Sequence, residues 1–178
     1  MVIAKAALLL LPALLAVAAG ITDWRWRRIP NWLTVPGLAL GIAVNTLALG
    51  WTGAKTSLEG AGLGLLLLLP FVLLRALGAG DWKLAGSFGA FLGPDTLITV
   101  LLVAVLVAGL MALALVIWKR RFLQTLRNLG HMLAAFLSLH LPGPEVSLDN
   151  PESLKIPFGV ALALAVVLYT VRRASGTW

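Results

Sequence analysis

Apolar residues run in long blocks along this chain, and short polar segments separate the blocks. An α-helix needs about 20 apolar residues to cross a bilayer, and several blocks have that length. The pattern therefore predicts an all-α polytopic membrane protein with about six transmembrane helices. The predicted spans cover residues 2–21, 32–49, 58–77, 82–92, 96–118 and 156–171.

Prolines and glycines separate these blocks. Pro30 prevents a continuous helix from the first span into the second. The segment 50–53 predicts a turn between the second and third spans, and Pro70 predicts a kink. Asp95, which follows Pro94, is expected to cap the fifth span.

The fourth predicted span is too short to cross a bilayer as a straight helix. Its small residues fall at helical spacing, which lets helices pack closely in lipid. We therefore expect it to be tilted, lengthened by its flanks or buried among the other helices. The small residues are Gly86, Gly89, Ala90 and Gly93.

The segment 122–140 has apolar residues at helical spacing with polar residues between them. This amphipathic pattern predicts a helix that lies in the membrane interface. The segment 142–155, which follows, predicts a polar loop with three acidic residues: Glu145, Asp149 and Glu152.

Composition supports a membrane protein. The 178 residues are 60% hydrophobic and 12% charged, whereas soluble domains carry about a quarter charged residues. We expect a single membrane domain over residues 1–178. There is no cysteine and there are two histidines, so we expect no disulfide, no metal and no cofactor. The Ala-rich end of the first span could also be a signal-peptide cleavage region, but the basic residues after it favour an uncleaved span.

The net charge of +7 reflects basic loops and attraction to anionic membrane lipid rather than nucleic-acid binding. If the amino terminus lies outside, the loops after the first, third and fifth spans face the cytoplasm. Those loops hold ten of the fourteen Lys and Arg residues. The positive-inside rule favours this orientation in the plasma (inner) membrane, and it puts Asp23 and Asp81 on the same, cytoplasmic side.

Asp23 and Asp81 each lie at the end of an apolar block. A carboxylate in such a place is costly and indicates a functional site. Two carboxylates that converge in a low-dielectric site share a proton and can activate water, as in aspartic proteases. Either residue alone could instead cap a helix or pair with the nearby Arg and Lys residues.

Three segments carry a resemblance to a known family. They are Asp23–Asn31, Gly78–Leu84 with its GxGD, and Ile156–Gly159. In this order they resemble the type IV prepilin peptidases, the GxGD aspartic proteases of the membrane. The resemblance implies that Asp23 and Asp81 are the catalytic pair. The residues that would shape the site or bind substrate are Gly78, Gly80, Lys83, Pro30, Asn31, Pro157, Phe158 and Gly159.

The implied substrate is a prepilin or pseudopilin precursor in which a short basic leader precedes a hydrophobic helix. The chain is similar to the short, peptidase-only branch that serves Flp-type tight-adherence pili, because it shows no cysteine-containing amino-terminal region of the kind found in bifunctional, methylating members. The basic leader could be received by the acidic loop or by lipid headgroups.

Other classes stay open on the residues alone. A presenilin-like protease shares the GxGD segment, but the sequence around Asp23 does not match its first signature. A proton-coupled transporter would use the two aspartates as a relay and predicts polar residues deep in the spans, where Asn45 and Thr46 are among the few. A secretion-assembly subunit would use both aspartates only as partners for Arg.

Overall fold

The computed structural model describes residues 2–119, 130 and 157–176. All regular structure in these ranges is helical, so the all-α prediction is confirmed there. The predicted interfacial helix, apart from Gly130, and the acidic loop lie outside the described residues. The helices are α1 (Val2–Trp26), α2 (Asn31–Leu73), α3 (Ala79–Leu92), α4 (Pro94–Trp118) and α5 (Phe158–Ala174).

Three of the described helical stretches are long and apolar enough to cross a membrane: Ala7–Trp26, Asn31–Leu73 and Pro94–Trp118. The count of about six spans stays a prediction. The second stretch is not one straight rod, because Gly50 has non-helical angles (φ 63°, ψ −143°) that glycine adopts without strain. The chain turns back there, so that the Ser57 hydroxyl oxygen lies 3.4 Å from the Gly41 carbonyl oxygen.

The outer surface is strongly apolar. Large side chains such as Leu47 (86% exposed) and Leu106 (68% exposed) are left uncovered by the other described residues. In water, an apolar surface of this extent would favour association, whereas in a bilayer it faces lipid. The buried core lies between the helices and is centred on Leu84, Phe88 and Leu162.

The short helix α3 is held deep inside the bundle, which is one of the three arrangements expected for so short a span. Residues 84–91 are all buried. The backbones of Gly60 in α2 and Gly89 in α3 approach so closely that a Cβ atom on either would collide with the other's carbonyl. Close backbone contact of this kind replaces hydrophobic association as the main packing force between helices in lipid.

The far end of α3 is capped by side chains of α2. The last carbonyls of a helix lack intrahelical donors and must find others when they are buried. The amide of Asn45 donates to the carbonyls of Ala90 (2.9 Å) and Phe91 (3.1 Å). The hydroxyl of Ser57 donates to Ala90 at 2.6 Å. These bonds let a 14-residue helix end within the bundle.

Several predicted boundaries are wrong. The turn over 50–53 is confined to Gly50, since residues 51–53 are helical. Helix α2 ends at Leu73 and not at residue 77, and Asp81 falls in the first turn of α3. Asp95 does not cap α4, because Gly93 occupies the cap position and no side chain bonds to that helix end.

Candidate active site

Asp23 lies in the last turn of α1 and is buried, with 7% of its surface exposed. Helix α1 ends at Trp26, and Arg27 then takes the left-handed conformation (φ 53°). The Arg27 amide donates to the Asp23 carbonyl at 2.9 Å, which closes the helix. The chain is thereby redirected towards Pro30, which precedes the first residue of α2.

Asp81 is the third residue of α3, and Gly78 occupies the cap position of that helix. The backbone amide of Gly78 interacts favourably with the Asp81 carboxylate. An acidic residue that reaches back to the cap amide is half of a capping box, so Asp81 also has a structural role. Its Oδ1 atom is nevertheless buried with no hydrogen-bond partner among the described residues.

One pocket of about 510 Å³ contains both aspartates. Seven predicted site residues line it, so the structure brings two distant sequence segments together. The lining residues that were predicted are Asp23, Pro30, Asn31, Gly78, Gly80, Asp81 and Lys83.

The two carboxylates lie close enough to affect each other's ionisation. Burial raises the pKa of Asp81 from its ordinary value to about 7, and the charge of Asp23 adds to that rise. The backbone amides of Gly78 and Gly159 oppose it. Asp81 lies at the start of α3, outside the three stretches that are long and apolar enough to cross a membrane. Near neutral pH, one of the paired carboxyl groups can therefore hold a proton while the other is ionised.

Glycine is required where the two halves of the site meet. A Cβ atom on Gly80 would lie 3.0 Å from Cβ of Ile29 and 3.2 Å from its carbonyl oxygen. This contact sets the start of α3 directly against the segment that joins α1 to α2. It explains why the second glycine of the GxGD segment has no side chain.

The third predicted segment reaches the site through its backbone. Pro157 precedes the first residue of α5, and Phe158 packs against the core. Gly159 lies against Asp23, because a Cβ atom there would be 2.8 Å from Asp23 Oδ2. The amide of Val160 donates to the same Oδ2 atom at 3.1 Å. Of the predicted residues in this segment, Gly159 contacts the aspartate, whereas Pro157 and Phe158 support the helix.

Basic side chains surround the pocket. Arg27, Arg28 and Lys83 line it together with the aspartates. Lys83 donates from Nζ to the Asn31 Oδ1 atom at 3.0 Å and so connects α3 to the start of α2. Among the described residues, no group of three or more His, Cys, Asp or Glu side chains could hold a metal ion.

Sequence reasoning missed three contributors. Ile29 separates Gly80 and Gly159, since a Cβ atom on either glycine would touch it. Arg27 closes α1 and acts electrostatically on Asp23. Val160 contributes a backbone amide, which no side-chain pattern can reveal. Ile29 and Arg27 could have been predicted as site residues, because both lie in the segment that directly follows Asp23.

Comparison with known proteins agrees with the site. The type IV leader peptidase family matches residues 9–113, which are more than half of the chain and include both aspartates. No curated protein and no solved structure matches the chain. The first turn of α5 lies beyond the matched range and is linked to the site by its contacts with Asp23. By this match, the chain belongs to the type IV leader peptidase family.

Proposed function

We propose that this membrane peptidase is an aspartic endopeptidase that removes the short basic leader of prepilin-like precursors, with Asp23 and Asp81 as its catalytic pair. The observation that carries the proposal is the shared pocket, in which carboxylates 58 residues apart in sequence meet. Family membership supports a peptidase that acts on leaders of this kind.

The chemistry needs one ionised and one protonated carboxyl group. The ionised group takes a proton from a water molecule, which then attacks the scissile carbonyl carbon. The protonated group donates its proton to the carbonyl oxygen. The raised pKa of Asp81 supports such a division near neutral pH.

The position of the site suits a substrate with a membrane-embedded helix. Trp24 and Trp26 are largely exposed beside Asp23, and tryptophans favour the membrane–water interface. A precursor could keep its hydrophobic helix in lipid while its leader enters the pocket. We propose that the end of α1 with Asp23 lies at the cytoplasmic face, because arginines are concentrated there. We also propose Flp-type precursors as the substrates.

Cleavage of co-expressed precursors tests this function. Asp23→Asn and Asp81→Asn should each lower cleavage at least about 1000-fold, because each removes an essential proton-transfer group. Leader removal is followed by gel shift, and membrane insertion and folding are checked for every variant.

Asp95→Asn is the matched control, since Asp95 lies in the first turn of α4 and away from the pocket. It should cleave normally. If either pocket variant cleaves normally, the pair is not catalytic. Proton flux that depends on the two aspartates, with no cleavage of the precursor, would support the transporter alternative. In that case Asn45 would have to break its hydrogen bonds to Ala90 and Phe91.

A further inference from the structure

The first turn of α5 makes an asymmetric contact with the two aspartates. Val160 donates its amide to Asp23 Oδ2 at 3.1 Å. The Gly159 amide acts favourably on both carboxylates, and the Gly78 amide acts favourably on Asp81. No hydrogen bond between the described residues reaches Asp81 Oδ1. Hydrogen bonds from backbone amides favour an ionised carboxylate over a protonated one. A buried oxygen without a partner disfavours the charged form of its carboxyl group.

We propose that Val160 and Gly159 are positioning residues that assign the two catalytic roles: Asp23 is the ionised base, and Asp81 is the protonated acid. This inference rests on the proposed function and goes beyond it, because a catalytic pair could work with either assignment. Gly159 contributes by leaving room for the Asp23 carboxylate, and Val160 contributes the amide that holds it.

The reaction steps balance under this assignment. Asp23 takes a proton from water as the water oxygen bonds to the carbonyl carbon, and Asp81 gives its proton to the carbonyl oxygen. The resulting gem-diol collapses when Asp81 takes back a hydroxyl proton. Asp23 then gives its proton to the leaving nitrogen as the C–N bond breaks. A carboxyl product and an amine are released, and both aspartates return to their starting states.

The charged groups around the pair agree with the assignment. Arg27 acts favourably on the Asp23 carboxylate from the end of the same helix. Arg28 and Lys83 also line the pocket, and Asp81 is the other acidic group that does so. From α5, the described residues at the site are apolar or glycine and contribute backbone amides. Burial raises the pKa of Asp81 to about 7, which keeps it protonated to higher pH.

The Val160 amide can report the state of Asp23 directly. The pair Gly159-Val160 is the one Gly-Val step in the sequence. Protein made with carbonyl-¹³C glycine and ¹⁵N valine therefore gives one selected amide signal in detergent micelles. We expect this signal to shift downfield as Asp23 ionises, at a lower pH than the titration of Asp81. The shift should vanish in Asp23→Asn and persist in Asp81→Asn.

A signal that follows the higher-pH titration, or that still titrates in Asp23→Asn, would overturn the assignment. Because this measurement needs no substrate, its failure is separate from a failure of the proposed function, which the cleavage of Asp23→Asn and Asp81→Asn decides.

Kinetics give a second test. Val160→Pro deletes the amide at the third position of α5, and with it the 3.2 Å bond from the same amide to the Pro157 carbonyl. Loss of a hydrogen bond to a charged group should move the acid limb of the kcat/KM profile upward by about one pH unit and leave the alkaline limb in place. Thr96→Pro, at the same third position of α4, is the matched control and should move neither limb. A shift of the alkaline limb instead of the acid limb would mean that Asp81 is the base and Asp23 the acid. Lower activity with both limbs in place would mean that Val160 has only a structural role.

Discussion

The two ends of α3 both hold buried polar groups, but they differ in whether those groups have hydrogen-bond partners. At the far end, the carbonyls of Ala90 and Phe91 are met by Asn45 and Ser57. At the near end, a buried oxygen of Asp81 has no hydrogen-bond partner within the part of the chain that the structure describes, and a second carboxylate lies beside it. Satisfied polar groups stabilise and specify a fold, while unsatisfied ones carry a cost that function can explain. The far end therefore fixes the helix, and the near end is available for chemistry.

The largest expected effect separates activity from stability at the near end. Gly159→Ala would place a methyl group 2.8 Å from Asp23 Oδ2 and displace the carboxylate. We expect about a 100-fold loss of kcat, because small misplacements of catalytic groups are costly. Initial rates and thermal melting should be measured together. Gly109→Ala is the control, since a Cβ atom there meets open space; equal rates for both variants would contradict the role of Gly159.

The far end should show the reverse pattern. Asn45→Ala removes the side-chain donor of the Phe91 carbonyl and leaves the Ala90 carbonyl with Ser57. It should destabilise the protein by about 2 kcal/mol, with normal activity per folded molecule. Thr46→Ala is the neighbouring control, because its hydroxyl bonds only to Ile42 within the same helix; it should cost less than about 0.5 kcal/mol. Unfolding in denaturant measures both. If Asn45→Ala folds well but loses cleavage, the far end of α3 also affects activity, and the contrast between the two ends is wrong.

The pH dependence of stability should follow Asp81. Its pKa rises from an ordinary 3.8 to about 7 on folding. The folded state therefore binds this proton more tightly, and stability declines as pH rises from about 4 to 7. Asp81→Asn removes that decline and should melt about 2–8 °C higher than wild type at pH 8, with little difference at pH 4. Melting curves at the two pH values check this, with Asp95→Asn as control; a larger gain at pH 4 would give the wrong sign.

The smallest effect is expected at the exposed link between α3 and α2. Lys83→Met removes a hydrogen bond to Asn31 that solvent can replace. We expect a loss of about 0.5 kcal/mol in stability and cleavage within about threefold of wild type. If cleavage falls much further while melting is unchanged, Lys83 contacts the substrate rather than the fold.

The sequence was informative where side-chain chemistry repeats a pattern. Asp23, Asp81 and the glycines around them could be placed at one site, because carboxylates in apolar sequence are costly. The small-residue face of α3 indicated burial only as one of three arrangements, beside a tilt and an extension by its flanks. These features follow from which side chains are present, and composition and spacing report that directly.

The remainder depended on the backbone and on tertiary contacts. The amide of Val160 leaves no trace in the side-chain pattern, and Ile29 gained its role only when two glycines packed against it. Gly50 alone turns the chain where a four-residue turn was expected, since one positive-φ residue suffices. Asp95 resembled a cap by type and place, but Gly93 already occupied that position. Local patterns do not show which of two neighbours takes a structural role.

The close backbone contact between Gly60 and Gly89 has a consequence for how the site can open. It belongs to a unit in which α3 packs on α2, whereas α1 packs mainly on α5, with a Cβ atom on Gly20 only 3.2 Å from Ala163. Asp81 belongs to the unit of α2 and α3. Asp23, with its hydrogen bond from Val160, belongs to the unit of α1 and α5. The two aspartates thus lie on opposite sides of a seam between the units. If the two units slid past each other along that seam, the two carboxylates would separate, while the hydrogen bonds inside each unit would stay intact.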